Sequence, residues 1–312
     1  FTIGFDVDSY NEAPFAAAVA RHLGTEHTEM FVSAADAEAT IPRLSSIYDE
    51  PFADASQIPT ILVAQLTRQH VTVSLSGDGG DELFAGYPRY LLAESAWRRS
   101  HRIPRMLRQA IASSMLAASP RSWDRLFSAL PRRVAAQLTG SRVHRLAHML
   151  HADELGEMYG RLMAQWQPED GLVLDGSAPI CNQDHWHGTG SPTAKMRRSD
   201  LALYLPDDLM VKVDRAAMSA SLEARAPLLD HRVVELAFAL PDRMLIRDGQ
   251  GKWALRRVLD RYVPRSLVER PKAGFSVPLG SWLRGPLRSW AATLLDPHVL
   301  RQQGLLDAEK VA

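Results

Sequence analysis

Val71-Thr72-Val73-Ser74-Leu75-Ser76-Gly77-Asp78-Gly79-Gly80-Asp81-Glu82-Leu83-Phe84-Ala85-Gly86-Tyr87 is the stretch that decides the fold. Residues 71–75 are short, β-branched and run into glycines, which reads as a buried strand. The glycines and acids that follow read as a loop, and residues 83–87 as the start of a helix. In parallel α/β sheets, ligands bind beyond the carboxyl ends of the strands. Glycines let the backbone approach a ligand closely, and exposed N–H groups at a helix start favour an anion. The position therefore suits a phosphate or a nucleotide. Asp78, Asp81 and Glu82 would repel a phosphate directly, so they call for Mg²⁺ between, an ion held by one or two carboxylates plus phosphate oxygens. The competing reading is a tight turn with Asp81 as a helix N-cap. Three glycines and three acids in seven residues exceed what a cap needs.

Working outward, Phe1-Thr2-Ile3-Gly4-Phe5 reads as the end of a buried strand, followed by a turn-like stretch over residues 6–11. Phe15, Val19 and Leu23 recur every fourth residue and mark one face of a helix, with Gly24 at its C-cap. Residues 27–32 make a second short strand. Residues 34–66 are helical in pieces, interrupted around Asp49-Glu50-Pro51. Strands alternating with helices predict a parallel sheet with crossover helices. The alternation stops near residue 95, and beyond it the signals are mostly helical, with almost no strand candidates. The expected fold is thus α/β: an incomplete parallel-sheet nucleotide-binding layer over residues 1–95, followed by a mainly helical portion over residues 96–312. Both belong to one unit, and residue 95 marks a change of architecture rather than a linker.

Composition narrows the function. The chain has 312 residues, 46% hydrophobic and 23% charged, as in ordinary globular proteins and unlike disordered ones. Its single cysteine, Cys181, excludes a disulfide framework and argues against a cysteine zinc site. Basic and acidic residues balance at 36 each, so no net charge drives the chain to nucleic acid or membrane. No uncharged apolar run reaches the ~18 residues of a spanning helix. The chain opens at Phe1, without Met and inside an apolar run, which reads as a fragment. Residues 98–145 hold eleven arginines against one acid, Asp124, but only Trp123 and Phe127 interleave them. A solvated helical surface, or a contact with a missing domain, is preferred there over nucleic-acid binding, which needs stacking or groove-reading groups as well. Residues 171–193 read as an irregular surface segment, in which His185 and His187 lack a third metal ligand.

Neither G-x-x-x-x-G-K-[ST] nor a usable G-x-G-x-x-G occurs. Catalysis on a phosphate therefore wants a lysine from elsewhere, and only five exist: Lys195, Lys212, Lys252, Lys272 and Lys310. Lys252 is the best candidate, because it opens the helical pattern of residues 253–259 against the helix dipole. An ordinary solvated lysine is nearly as good a reading of the same pattern. Lys272 is a weaker candidate.

At these residues the chain resembles the synthetase domain of glutamine-hydrolysing asparagine synthetases, an adenine nucleotide α-hydrolase-like fold. The likeness runs over nearly the whole chain. It is carried by residues 1–5, His22-Leu23-Gly24-Thr25-Glu26-His27, Tyr48-Asp49-Glu50-Pro51-Phe52-Ala53-Asp54 through Gln57-Ile58-Pro59-Thr60, and the stretch 75–87. Residues 204–215, the block Ser221-Leu222-Glu223-Ala224-Arg225-Ala226-Pro227-Leu228-Leu229-Asp230, Gly251-Lys252-Trp253 and residues 271–275 complete it. The resemblance implies an ATP-dependent, amide-forming ligase. The β-carboxylate of aspartate attacks the α-phosphate of ATP, pyrophosphate leaves, and ammonia displaces AMP from β-aspartyl-AMP to give asparagine. By position, it implies Asp81 as a Mg²⁺ ligand, Ser76 and Gly77 at the AMP portion, and Ile3 and Gly4 beside adenine. It implies Lys252 at the departing pyrophosphate and Asp78 near the reacting carbon, orienting or deprotonating ammonia. Some members carry Glu where Asp78 stands. The block 214–230 reads mainly as scaffold.

Two departures accompany the likeness. The family's pyrophosphate loop, S-G-G-[hydrophobic]-D-S, and its N-terminal glutaminase domain with a nucleophilic cysteine are absent, and Cys181 does not match that cysteine. The expectation is a fragment inactive by itself, fed with ammonia by a glutaminase domain outside this chain. It is expected to be cytoplasmic, without nucleic-acid or membrane partners, and with a homodimer left open. Two alternatives are kept: the same chemistry on another carboxylate (antibiotic, peptide or surface polysaccharide), and a non-catalytic interaction module.

Overall fold

The computed structural model describes residues 1–312 except 6, 8–9, 132–137, 177–185, 187–188, 270–276 and 312. Cys181, His185, His187 and Lys272 lie outside the described residues. The chain forms two compact units, each discontinuous in sequence: Phe1–Gly86 with Asp200–Val299, and Tyr87–Ser199 with Leu300–Ala312. The sequence reading divides the chain once instead, at 95/96.

In the first unit, strand β1 (Thr2–Phe5) pairs in parallel with β2 (Glu29–Val32), from Thr2 opposite Glu29 to Phe5 opposite Val32. Helix α1 (Ala13–Leu23) makes the crossover. It ends on Gly24 at φ 66°, whose N–H returns to the last turn of the helix, as the C-cap reading expected. The face marked by Phe15, Val19 and Leu23 is not the buried one. Phe15 and Leu23 are about half exposed, and Ala13 is the buried residue. The cause is the close approach of the first turn to β1. A Cβ on Gly4 would meet Ala13 Cβ at 3.1 Å and Asn11 Oδ1 at 2.8 Å. Ile3, Phe5 and Val32 form a core with Ile58 and Leu62 of helix α2 (Gln57–Arg68) and with Val277, Trp282 and Leu287.

Strand β3 (Val73–Leu75) is formed as read, but it is not buried. Leu75 is 73% exposed and Val73 39%. Alternate residues share one face, and β3 belongs to a two-stranded sheet that leaves this face open. Its parallel partner is β4 (Glu223–Arg225), in the portion expected to be almost strand-free. Three residues give too short a period for sequence to expose. β4 follows a π-helical stretch, Asp200–Met210, and helix α3 (Val211–Ser219). Pro206 has no N–H to donate, and the wider winding carries the chain past it. α3 packs on α2 through Ala216 against Ile61 and Tyr48, and through Ala217 with Ala64 and Leu222.

The second unit is helical among its described residues, apart from a bridge between Val173 and Leu306. Met149, Ala152 and Met158 form a core with Ala96, Trp97 and Leu162 packed against it. The arginine-rich stretch is not uniformly solvated. Arg108 is 3% exposed and bonds Asp153 at 2.8 Å, whereas Arg98 and Arg105 are open to solvent. Arg161 is also buried, between Glu157 at 3.1 Å and Glu169 at 2.9 Å. Trp186, in the segment read as surface, is buried against Gly156 and Tyr159. No described helix is long and apolar enough to cross a membrane.

Candidate functional site

The glycine-rich loop leaves β3 under control of β4. The ladder continues one residue beyond the strands, with Ser76 N–H donating to Arg225 C=O at 2.8 Å. The chain then turns at Gly79, at φ 85°, into a short helix, Gly80–Leu83. This helix begins before the expected start at residue 83, so Asp81 and Glu82 lie inside it. Its N-cap is Gly79, without a side-chain cap, so Asp81 does not serve as the cap. Gly79 is fixed twice over: its φ suits glycine, and a Cβ there would overlap Leu229. Leu228 lies against Gly80. The block 221–230 is thus scaffold for the loop, through β4 and these two leucines.

Asp81 points from this helix to Lys252, Oδ2 to Nζ 3.0 Å, both side chains about a quarter exposed. Lys252 is the N-cap of helix α4 (Trp253–Leu259), as its sequence position suggested, and holds φ 58°. Left-handed backbone at a non-glycine residue costs on the order of 1–3 kcal/mol and gathers at functional sites. The Lys252 ammonium also lies over Gly80, 3.7 Å from where a Cβ would stand. The acid and the lysine singled out from distant parts of the sequence therefore converge.

The other nominated residues differ. Ser76 Oγ is buried with no protein hydrogen-bond partner, a polar atom with capacity for one. Gly77 is exposed and Asp78 half-buried. Ile3 and Gly4 lie in the β1–β2 sheet, Ile3 with its side chain in the core. Among the described residues, no group of three or more His, Cys, Asp or Glu is arranged to hold a metal.

A second polar centre was not nominated from sequence. Lys212, on α3, is buried and donates to Asp54 Oδ2 at 2.5 Å and Ser56 Oγ at 2.8 Å. Burial by itself would raise the Asp54 carboxyl. The Lys212 ammonium, with the backbone N–H and hydroxyl of Ser56, holds it below the usual carboxylate range instead. Tyr48 donates to Lys212 C=O at 3.3 Å and stacks on Phe52 at 4.9 Å. Burial, then the Asp54 charge, pushes its phenol up. A cleft of about 400 Å³ opens at this block, lined by Leu44, Tyr48, Glu50 and Phe52 among others. The available signal was the scarcity of lysines: of the five, Lys212 and Lys252 meet carboxylates within the first unit.

The fold is a helix-rich mixed α/β protein with small parallel sheets, and its candidate site joins a strand-end glycine loop to a lysine from a later helix. The chain belongs to the asparagine synthase family, whose match covers residues 1–312. It is 34% identical over 295 residues to a Mycobacterium tuberculosis protein provisionally named glutamine-hydrolysing asparagine synthetase, covering 93% of this chain and 43% of that protein. It is 28% identical to glutamine-hydrolysing asparagine synthetase 1 of Bacillus subtilis, covering 95% and 45%. Against asparagine synthetase 3 of the same organism the identity is 25%, covering 96% and 43%. The chain spans less than half the length of these curated relatives.

Proposed function

We propose that this chain is the synthetase part of an asparagine synthetase, an ATP-dependent ligase that activates aspartate and amidates it. The observation that carries the reading is the Asp81–Lys252 contact behind the carboxyl end of β3, in a chain of this family. In the first step a β-carboxylate oxygen of aspartate attacks the α-phosphorus of ATP, and the bond to pyrophosphate breaks. In the second, ammonia attacks the acyl carbon, the bond to AMP breaks, and nitrogen sheds a proton. Such transfers depend on positioning and on neutralising the charge that develops. Lys252 Nζ serves the departing pyrophosphate. Asp78, half-buried in the loop, orients ammonia or takes its proton. Ser76 Oγ and the Gly77 backbone hold the AMP portion, in keeping with the unpartnered Ser76 hydroxyl. Ile3 and Gly4 would offer adenine their backbone, not the buried Ile3 side chain.

The donor set fits Mg²⁺ as a nucleotide-borne ion: Asp81 stands at the lysine, and among the described residues no group of three or more ligating side chains is arranged for a metal. Mg²⁺ commonly takes one or two protein carboxylates and fills the rest of its shell with phosphate oxygens and water. Asp81 would hold it, and the ion would supply positive charge to the phosphates. On this reading residues 1–95 carry the nucleotide-binding layer and 96–312 the mainly helical remainder, with β4 and Lys252 brought to that layer by the second segment of the first unit. Ammonia from glutamine hydrolysis elsewhere and a cytoplasmic setting belong to the same proposal.

Aspartate-dependent ATP–pyrophosphate exchange by the complete gene product tests it. Exchange is expected in the wild type and lost in Lys252→Ala and Asp81→Asn. Exchange with another carboxylate but not aspartate moves the substrate. No exchange with any acid, from folded protein, refutes the ligase.

A further inference from the structure

Lys252 is delivered by a tightly specified backbone. Arg247 and Gln250 bond each other in both directions, Arg247 N–H to Gln250 C=O at 3.0 Å and the reverse at 2.9 Å. Asp248 at φ 53° and Gly249 at φ 75° fill the two-residue turn between them. Positive φ at both central residues is the type I′ hairpin turn. Gly251 follows, pressed on residues 85–86 of the same chain: a Cβ there would overlap the Ala85 carbonyl oxygen. Lys252 N–H then donates to Phe84 C=O at 2.8 Å.

The facing segment is equally constrained. Ala85 holds φ 54°, and Gly86 N–H donates to Asp81 C=O at 2.8 Å. A Cβ on Gly86 would overlap both Asp81 Oδ1 and Lys252 Cε. Two non-glycine residues in the left-handed region, Ala85 and Lys252, thus face each other across two glycines that have no room for a side chain. Backbone of this kind persists only where its surroundings over-determine it.

We propose that Ala85-Gly86 and Gly251-Lys252 form a clasp that fixes the Lys252 ammonium against Asp81, making Gly251 and Gly86 positioning residues for the reaction. The inference rests on the reading of Lys252 given under Proposed function. Gly251 isolates the effect, because its φ is not left-handed and its requirement is steric alone. Gly249 is the contrast: its φ is left-handed, but nothing lies within 4 Å of its missing Cβ.

The test compares Gly251→Ala, Ala85→Gly, the double variant, Lys252→Ala and Gly249→Asn in the complete gene product. A displacement of about 1 Å at a reacting group costs on the order of 100-fold in rate. Gly251→Ala is therefore expected to lower kcat for aspartate-dependent pyrophosphate exchange about 100-fold, with KM for aspartate little changed. Gly249→Asn keeps the exchange, since Asn tolerates the left-handed region. Ala85→Gly in the Gly251→Ala background restores part of the loss, because glycine at 85 lets the carbonyl turn away. A readout independent of turnover is the labelling of Lys252 by succinimidyl acetate, followed by mass spectrometry. Labelling is expected to quicken in Gly251→Ala as the Asp81 contact loosens. Normal exchange and labelling in Gly251→Ala, beside an inactive Lys252→Ala, overturn the clasp and leave the role of Lys252 standing. Normal exchange in Lys252→Ala overturns that role, and labelling then decides the clasp by itself. If Gly251→Ala does not fold, Gly86→Ala decides, since its Cβ meets the movable ends of the Asp81 and Lys252 side chains and no backbone atom; unchanged kcat and labelling there overturn the clasp.

Discussion

Replacing Asp54 by Leu leaves the Lys212 ammonium buried without its counter-charge, and the cost can be worked from the geometry. The Lys212 side chain is 8% exposed and keeps Ser56 Oγ as a hydrogen-bond partner; the Asp54 side chain is 26% exposed. Removing one partner of a buried ion pair costs about 3–5 kcal/mol, because the other charge stays desolvated. The first unit has about 190 residues, and at this size 1 kcal/mol moves Tm by about 2–4 °C. Asp54→Leu should therefore lower the melting temperature of the first unit by about 6–20 °C. Lys212→Met should cost less, about 1–3 kcal/mol, since Asp54 retains the Ser56 N–H and some water. The double variant has no stranded charge, and apolar replacement of a whole buried pair is often neutral. It should melt above Asp54→Leu. The assay is thermal melting followed by circular dichroism, with hydrogen exchange of α2 and α3 amides to show which unit opens. A wild-type melt for Asp54→Leu, or losses that simply add in the double variant, would refute the reasoning.

The same pair sets a pH dependence. The folded Asp54 pKa is depressed, so its contribution is complete above the unfolded value of about 4 and is lost as pH falls through the folded value. Wild-type Tm should drop on acidification below about pH 4, and a Tm–pH profile should show a smaller acid loss in Asp54→Asn. Gly79→Ala meets both a left-handed φ of 85° and Leu229, and should cost about 1–3 kcal/mol and depress pyrophosphate exchange. An alanine there with normal stability by denaturant titration would mean the turn is looser than described. In the second unit, Arg161→Ala strands Glu157 and the partly exposed Glu169 and should cost about 2–4 kcal/mol. Urea unfolding would show it, and a change below about 0.5 kcal/mol would contradict the buried pairing.

What was legible locally was read locally. The β-branched run before the glycines, the helix ending at Gly24 and the lysine opening residues 253–259 each rest on the conformational limits of a few neighbouring residues. The helix start read at residue 83 is displaced for the same reason: residues 80–83 already wind into a helix, with Leu229 pressed on Gly79 and Leu228 on Gly80. No local signal reports that. Phe15 and Leu23 were correctly spaced for a helix face, yet that face is not the one against the sheet, since contact is made at Ala13.

By itself, the sequence determined the family, the alternation of strand and helix over the first ninety or so residues, and the residue types that could serve a nucleotide. These depend on backbone preference, side-chain period and ordered motifs, which are properties of neighbouring residues. Only the tertiary structure decided that β3 takes β4 as its partner, that Val73 and Leu75 face outward, and that Lys212 is buried on Asp54. It alone brought Lys252 to Asp81. Strand pairing, desolvation and ion pairing join residues distant in the chain, and their free energies depend on what surrounds each group once the chain has closed on itself.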